Sequence, residues 1–231
     1  EAIEFLFSDL FDCANFTGRS GGMYAYEGLG SIYWHMVSKL LLAVMETVKR
    51  AEQSGAPADV MGGLKRVYYD VREGIGFNKT PDVYGAFPTD PYSHTPGFSG
   101  ARQPGMTGQV KEEVLTRLLE LGITVDHAQV TFNPTMLRAS EFLQGDEDLH
   151  YFDTAGAPHF LTLSRGQLGF TYCQVPVVMS LASQPSILIH WADGTDLSVE
   201  GRTLSAEQSE ALFKKTGAIA RLDVFADEVI K

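Results

Sequence analysis

The stretch of the chain with the most unusual chemistry is a proline-rich loop that contains a carboxylate and an imidazole. Asp90 and His94 lie four residues apart in the run FPTDPYSHTPG, residues 87–97. Because the prolines of this run forbid a helix, the helical i, i+4 geometry of paired metal ligands is not accessible. A metal would need further His or carboxylate ligands from elsewhere, so we expect no metal and no cofactor.

The same loop has the composition of a sugar-contacting segment. Aromatic rings stack on the apolar face of a sugar, while neighbouring polar groups bond its hydroxyls. Residues 76–106 supply rings and polar groups, namely Phe87, Tyr92 and Phe98 beside Asp90, His94, Arg102 and Gln103. The alternative is a rigid, proline-braced loop in which Asp90 and Ser93 only cap turns.

Three more polar residues lie towards the start of the chain. Arg19 begins the run RSGG ahead of a predicted helix, which is typical of an anion cradle, although a plain tight turn also fits. Glu27 and His35 flank the start of that helix, and either is a possible general acid or base. The alternative for both is a buried polar side chain with satisfied hydrogen bonds. The sequence contains no HExxH motif and no Cys-His pairing.

Helices in the first half of the chain must position these segments. Apolar residues at steps of three and four predict helices over residues 3–11, 31–51, 60–74 and 107–121. Their predicted inward stripes include Leu40, Leu41 and Val48 in the second helix, Val60, Val67 and Tyr68 in the third, and Val114 in the fourth. Gly55 and Gly122 stand where the second and fourth helices should end.

After residue 122 the apolar period changes from 3.6 to 2, which predicts strands. Alternation predicts strands near residues 130–132, 161–163, 168–172, 187–191, 197–199 and 222–224. Asp193 and Gly194 predict a hairpin turn, and Ser205 with Gln208 predicts a capping box for one short helix near 205–216. We therefore expect an α+β protein, with residues 1–122 helical and residues 123–231 rich in strands.

The composition of the chain limits the classes of partner that it can bind. The net charge of −11 and the pI of about 4.9 argue against nucleic acid and membrane partners, because phosphates would be repelled. Two cysteines, Cys13 and Cys173, are too few for a disulfide framework; the alternatives are two reduced thiols or one long-range bridge. The chain begins with Glu1 inside an apolar-periodic segment, which predicts a fragment of a larger protein.

Several longer motifs resemble a known family. The run FTGRSGGMYAYEGLGSIYWHM over residues 16–36 is similar to the YTGSAGWM stretch of the cellobiose-phosphorylase-like family of inverting glycoside phosphorylases. GFNKTP at 76–81, GAFPTDPYSHTP at 85–96 and QPGMTGQVKEE at 103–113 resemble large bacterial relatives. This resemblance implies a cytoplasmic or periplasmic location in a bacterium. GITV at 122–125 and TFNP at 131–134 look like that family's crossing into its C-terminal β domain. The resemblance covers most of residues 16–134.

This resemblance implies the last helices of an (α/α)₆ barrel, followed by a β-sandwich or jelly-roll-like domain. It also implies inverting chemistry, in which a carboxylic acid protonates the glycosidic oxygen and phosphate or water attacks from the opposite face. The family's general acid lies upstream of the matching segment, so we expect this chain to lack it. Leu29 stands where the phosphorylases have a phosphate-holding Thr, which makes hydrolysis at least as plausible as phosphorolysis.

We therefore expect the C-terminal part of a carbohydrate-active enzyme of the glycoside phosphorylase or hydrolase type. Its partners would be an oligosaccharide or glycoside and the upstream polypeptide that completes the barrel. The predicted substrate contacts are Arg19, Glu27, His35, Asp90, Tyr92, His94, Arg102 and Gln103. The alternative is a non-catalytic module that binds carbohydrate or protein.

Overall fold

The computed structural model describes residues 34–74, 106–227 and 229–230. Within them the protein has mixed α+β structure, as the sequence predicts. The chain divides into two compact units, Glu1–Thr116 and Arg117–Lys231, here called the N-terminal and C-terminal units. The predicted domain boundary between residues 122 and 123 stays a prediction.

The N-terminal unit contains a pair of consecutive helices joined by a short loop. Helix α1 is Trp34–Gln53 and helix α2 is Ala58–Gly74. After α1, Gly55 adopts a φ of 68°, and the Ala56 N–H donates to the Ala51 carbonyl at 2.9 Å. Glycine takes this left-handed conformation without a steric penalty, and the bond satisfies a terminal carbonyl. The predicted end of α1 is confirmed.

The buried faces of α1 and α2 agree with the predicted stripes only in part. Leu41 and Val48 of α1 and Tyr68 of α2 are buried as predicted. Leu40 is 54% exposed, and Val60 and Val67 are also exposed, so these three inward assignments were wrong. The remaining buried residues are Ser38 and Met45 in α1, and Tyr69 and Arg72 in α2. These helices have apolar residues on more than one face, so the apolar period alone allows several stripes and packing selects one.

Helix α3, Met106–Glu120, buries polar side chains. Glu112 and Thr116 are buried, and the Thr116 hydroxyl donates to the Glu112 carbonyl at 2.9 Å. Val114 is 54% exposed, which corrects the predicted inward stripe of this helix. A back-bonded threonine satisfies its own hydroxyl and therefore tolerates burial. None of the helices in the described ranges is long and apolar enough to cross a membrane.

The described part of the C-terminal unit begins with the last turn of α3 and contains nine strands and one complete α-helix. The strands are β1 (Ile123–Asp126), β2 (Gln129–Phe132), β3 (Glu147–Phe152), β4 (Pro158–Leu163), β5 (Gln167–Tyr172), β6 (Val175–Leu181), β7 (Ser186–Trp191), β8 (Asp196–Glu200) and β9 (Ile219–Ala226). The helix is α4 (Ala206–Phe213), and a 3₁₀ turn occupies Ala139–Glu141.

The strands form two hairpins and one larger sheet. β1 pairs with β2 and β3 pairs with β4, both antiparallel. The five-stranded sheet has the order β5-β6-β9-β7-β8. Its neighbours are antiparallel except β6 and β9, which run parallel. The sheet is therefore mixed, with β9 between strands that precede it in sequence.

One face of the five-stranded sheet forms the core. The apolar residues of its central strands that face this core are buried, namely Val177, Met179, Ile187, Ile189, Leu222 and Val224. The same cluster includes Val130 and Phe132 of β2 and Leu212 of α4, so the β1–β2 hairpin and α4 cover this face. The predicted alternation in β2, β7 and β9 is confirmed, because one side of each strand faces this core.

Helix α4 begins as predicted and ends earlier. The Ser205 hydroxyl accepts the Gln208 N–H at 3.2 Å, and the Gln208 side chain accepts the Ser205 N–H at 2.7 Å. This reciprocal pair is a capping box. The helix ends at Phe213 because Lys215 has a φ of 51°, which a helix does not allow.

The opposite face of the sheet is partly covered by the β3–β4 hairpin. A Cβ atom on Gly169 of β5 would lie 2.4 Å from a Leu163 methyl and 3.2 Å from a Leu149 methyl. Both leucines belong to the hairpin. Glycine at this position therefore permits the close approach of the hairpin to β5.

Candidate functional site

The residues that the sequence suggests for substrate contact lie outside the described part of the chain. They are Arg19, Glu27, Asp90, Tyr92, His94, Arg102 and Gln103, together with the side chain of His35 in the first turn of α1. Their roles stay predictions. Across residues 34–74, 106–227 and 229–230, no group of three or more His, Cys, Asp or Glu side chains is arranged to hold a metal ion.

A cleft of about 220 Å³ lies in the C-terminal unit where three loops meet, and we call it the three-loop cleft. The β3–β4 hairpin lines it with Tyr151, Asp153, Thr154 and His159. The β5–β6 turn and the start of β6 add Gln174 and Pro176, and the start of β9 with the loop before it adds Gly217, Ile219 and Ala220. Sequence-distant residues therefore share one concave surface.

Asp153 organises the hairpin side of the cleft. Its Oδ1 accepts the N–H groups of Ala155 and Ala157, each at 2.9 Å, and its Oδ2 lies 2.9 Å from His159 Nε2. The Ala157 bond and then the His159 bond lower the pKa of Asp153 below its ordinary value. The carboxylate is therefore ionised at neutral pH and holds the loop in a fixed Asx-type turn.

Tyr151 and His159 provide the rings of the cleft. They are cross-strand partners in the β3–β4 hairpin, with ring centroids 5.6 Å apart and an interplanar angle of 27°. Since Asp153 is ionised, the His159 Nε2 is the donor in their bond. Within the described residues, the hydroxyls of Tyr151 and Thr154 make no hydrogen bond, so both remain available to a ligand.

Gln174 enters the cleft from a strained turn. Cys173 and Gln174 form the two-residue β5–β6 turn with φ values of 52° and 66°. Such a turn normally contains Asn and Gly, because other side chains raise the energy of left-handed backbone. The Gln174 Nε2 donates to the Asp153 carbonyl at 3.0 Å. The amide oxygen of Gln174 is then left to accept a hydrogen bond.

Cys173 is not a suitable nucleophile. Burial raises the pKa of its thiol, and the nearby Lys215 only partly opposes this effect. The thiolate is the reactive form of cysteine, so a raised pKa disfavours the reactive form at neutral pH.

A second polar cluster lies on the face of the sheet that the β3–β4 hairpin also covers. His190 Nδ1 lies 2.8 Å from Asp196, and its Nε2 lies 2.8 Å from Asp223. Arg221 Nη2 donates to the same Asp223 oxygen at 2.9 Å. Arg221 Nε and Asp223 Oδ1 lie 2.8 Å apart as an ion pair, but without hydrogen-bond geometry. These contacts join side chains of β7, β8 and β9.

The sequence patterns did not single out any residue of the three-loop cleft. A signal was present, because Asp153 and Gly156 stand between the alternating runs that become β3 and β4. It predicts a hairpin loop, but not the approach of the loop to Gln174. No family model matches the chain, and no curated protein matches it either.

Proposed function

We propose that the chain is the C-terminal part of a carbohydrate-active enzyme of the glycoside phosphorylase or hydrolase type, and that it binds an oligosaccharide or glycoside. The observation that supports this most is the three-loop cleft, which combines the Tyr151 ring with the polar side chains of Thr154 and Gln174. Binding sites for small ligands are concave and combine apolar walls with a few directed polar groups.

The chemistry of the cleft suits a sugar. A pyranose has an apolar face that packs against an aromatic ring, and hydroxyls that need both donors and acceptors. The Tyr151 and Thr154 hydroxyls provide both, and the Gln174 amide oxygen is an acceptor. Asp153 keeps the loop in place without using these groups.

The finer architecture is part of the proposal. We propose that α1, α2 and α3 are late helices of an (α/α)₆ barrel that upstream polypeptide completes. The pair α1 and α2 has the short connection that such a barrel repeats. The exposed apolar side chains Leu40, Val60 and Val114 also suit packing against further helices.

We propose a jelly-roll-like relationship for the C-terminal unit on the family resemblance alone. A jelly roll is built from antiparallel strands, whereas β6 and β9 run parallel here. In the complete enzyme, the predicted contacts from Arg19 to Gln103 would line the barrel cleft, and the general acid would come from upstream. The isolated chain should then neither hydrolyse nor phosphorolyse glycosides.

A titration tests the carbohydrate-binding role. Cellobiose, maltose and longer oligosaccharides would be titrated against the chain and against Tyr151→Ala by calorimetry. We expect Tyr151→Ala to weaken binding by about 1 kcal/mol through lost ring contact. Phe160→Ala is the matched control, because Phe160 is an exposed ring on the outer face of the same hairpin. If no saccharide binds the chain, the proposed function is wrong.

One observation favours the alternative of a protein-interaction module. Phe152 and Phe160 are 64% and 66% exposed on the outer face of the β3–β4 hairpin. Exposed aromatic residues are enriched where proteins meet. If Phe160→Ala removes a binding activity that Tyr151→Ala leaves unchanged, the outer face and not the cleft is the functional surface.

A further inference from the structure

We infer, on the basis of the proposed function, that the three-loop cleft binds a single uncharged sugar unit and rejects sugar phosphates and uronic acids. We also infer that Gln174 is its specificity-determining residue. The size of the cleft, the charges on its wall and the backbone of the β5–β6 turn each support one part of this inference.

The size of the cleft limits the ligand. Its volume is about 220 Å³, whereas pockets for drug-sized ligands measure roughly 300–1,000 Å³. Pro176 and Ile219 are buried parts of its wall and fix its depth. The cleft therefore holds one ring of a glycan, and a longer chain must extend into solvent.

The charges on the cleft wall exclude anions. The residues that line it include the ionised Asp153 but neither Lys nor Arg. Phosphate sites use such cations or free backbone N–H groups. The N–H groups of Ala155 and Ala157 would be candidates, but both already donate to Asp153 Oδ1. An anionic sugar would meet the Asp153 carboxylate and find no Lys or Arg among the residues that line the cleft.

The β5–β6 turn positions the Gln174 amide, which is the group that discriminates between ligands. Gln174 keeps a φ of 66° although glycine or asparagine would relieve the strain. Strained backbone persists where the surrounding structure uses the side chain. Here the Nε2 bond to the Asp153 carbonyl fixes the amide plane and leaves Oε1 as an acceptor for a sugar hydroxyl. A ligand without a donor at that position loses this bond.

Nuclear magnetic resonance on the ¹⁵N-labelled chain tests the inference. The probes are methyl β-D-glucopyranoside, methyl α-D-mannopyranoside, glucuronic acid and glucose 6-phosphate. We expect the neutral probes to shift amide signals of residues 151–159 and 174–176. The two anions should bind at least about tenfold more weakly, because a charge without a partner is disfavoured in the site.

Two variants with the same backbone effect isolate the role of Gln174. Gln174→Gly removes the amide and relieves the turn, so affinity for the neutral probes should fall about two- to tenfold, while the thermal midpoint stays level or rises. Ala128→Gly relieves the same type of strain in the β1–β2 turn, which lies outside the cleft, and should not change affinity. A fall in affinity without loss of stability distinguishes a selecting residue from a structural one.

The results that would contradict the inference differ from those that would contradict the proposed function. If the anions bind as tightly as the neutral probes, or if Gln174→Gly binds normally, the inference is wrong although the carbohydrate-binding role stands. If oligosaccharides bind but shift only signals outside the cleft, the inference is again wrong. If neither monosaccharides nor oligosaccharides bind, both the inference and the proposed function are wrong.

Discussion

Two hairpin turns of the C-terminal unit share one backbone conformation but have different surroundings. The β1–β2 turn has φ values of 45° at His127 and 62° at Ala128, and the β5–β6 turn has 52° at Cys173 and 66° at Gln174. Neither turn contains the Asn-Gly pair that favours this geometry. Both therefore keep a local conformation of raised energy.

The surroundings show which of the two turns has a use for its side chains. In the β1–β2 turn, His127 pairs with its exposed neighbour Asp126, at 2.9 Å, and with no other residue of the described ranges. In the β5–β6 turn, Gln174 bonds to the Asp153 carbonyl of another hairpin and lines the three-loop cleft. Strain alone is thus a weak sign of function, and strain with a directed side chain is a stronger one.

The largest expected effect on stability comes from replacing a glycine that has a positive φ. Gly122 has a φ of 74°, and a Cβ atom there would lie 2.1 Å from the Asn133 backbone. We expect Gly122→Ala to lower the free energy of unfolding by more than about 3 kcal/mol, since strain and overlap add. Gly201→Ala, at a φ of 85° with open space around it, should cost only about 1–2 kcal/mol. Urea denaturation of both variants measures the difference. Equal losses would mean that φ alone sets the cost.

A smaller expected effect on stability distinguishes the β1–β2 turn from the β5–β6 turn. Ala128→Gly should raise the free energy of unfolding by about 1 kcal/mol, because it relieves the left-handed backbone and removes no hydrogen bond. Gln174→Gly relieves the same strain but loses the bond to the Asp153 carbonyl, so its gain should be smaller. Thermal denaturation at neutral pH compares them. A larger gain for Gln174→Gly would show that its amide does not stabilise the cleft.

The smallest expected effect concerns how the stability of the fold depends on pH. The folded pKa of Asp153 is lower than the value of about 3.9 in an unfolded chain. Its stabilising contribution is therefore complete above about pH 4 and is lost as the pH falls through the folded pKa. Asp153→Asn should lower the thermal midpoint at pH 7 and change it less at pH 3. An equal deficit at both values would mean that the charge of Asp153 is unimportant.

Local signals in the sequence predicted the parts of the fold that a few neighbouring residues determine. Gly55 ends α1, the Asp193-Gly194 pair turns β7 into β8, and Ser205 with Gln208 begins α4. Each depends on backbone conformation or a hydrogen bond within a few residues. The presence of helices followed by strands was predictable for the same reason.

Strand β6 shows what the sequence could not predict. Residues 175–179 are all buried, so the strand has no alternation, and Pro176 argues against a strand in the middle of a sheet. Pro176 is tolerated because it opposes Thr171 near the start of the β5–β6 pairing, before the parallel pairing with β9 begins at Val177. The partner that makes β6 a central strand comes much later in the chain.

The candidate site was less predictable than the fold. Sequence patterns directed attention to continuous motifs, from Arg19 to Gln103, which the described residues do not include. The three-loop cleft instead combines Asp153, Gln174 and Gly217 from three separate connections. No local sequence motif predicts that these three connections line one cleft.

The position of β9 has a consequence for how the protein is made. During synthesis, β5–β6 and β7–β8 can form as separate hairpins, but the strand that joins them emerges from the ribosome only after both. Until then the inner edges of β6 and β7 are unpaired, and such edges recruit other chains. Insertion of β9 both joins the hairpins and closes these edges. Nascent chains halted before Ile219 should therefore be the species most prone to aggregate and most dependent on chaperones.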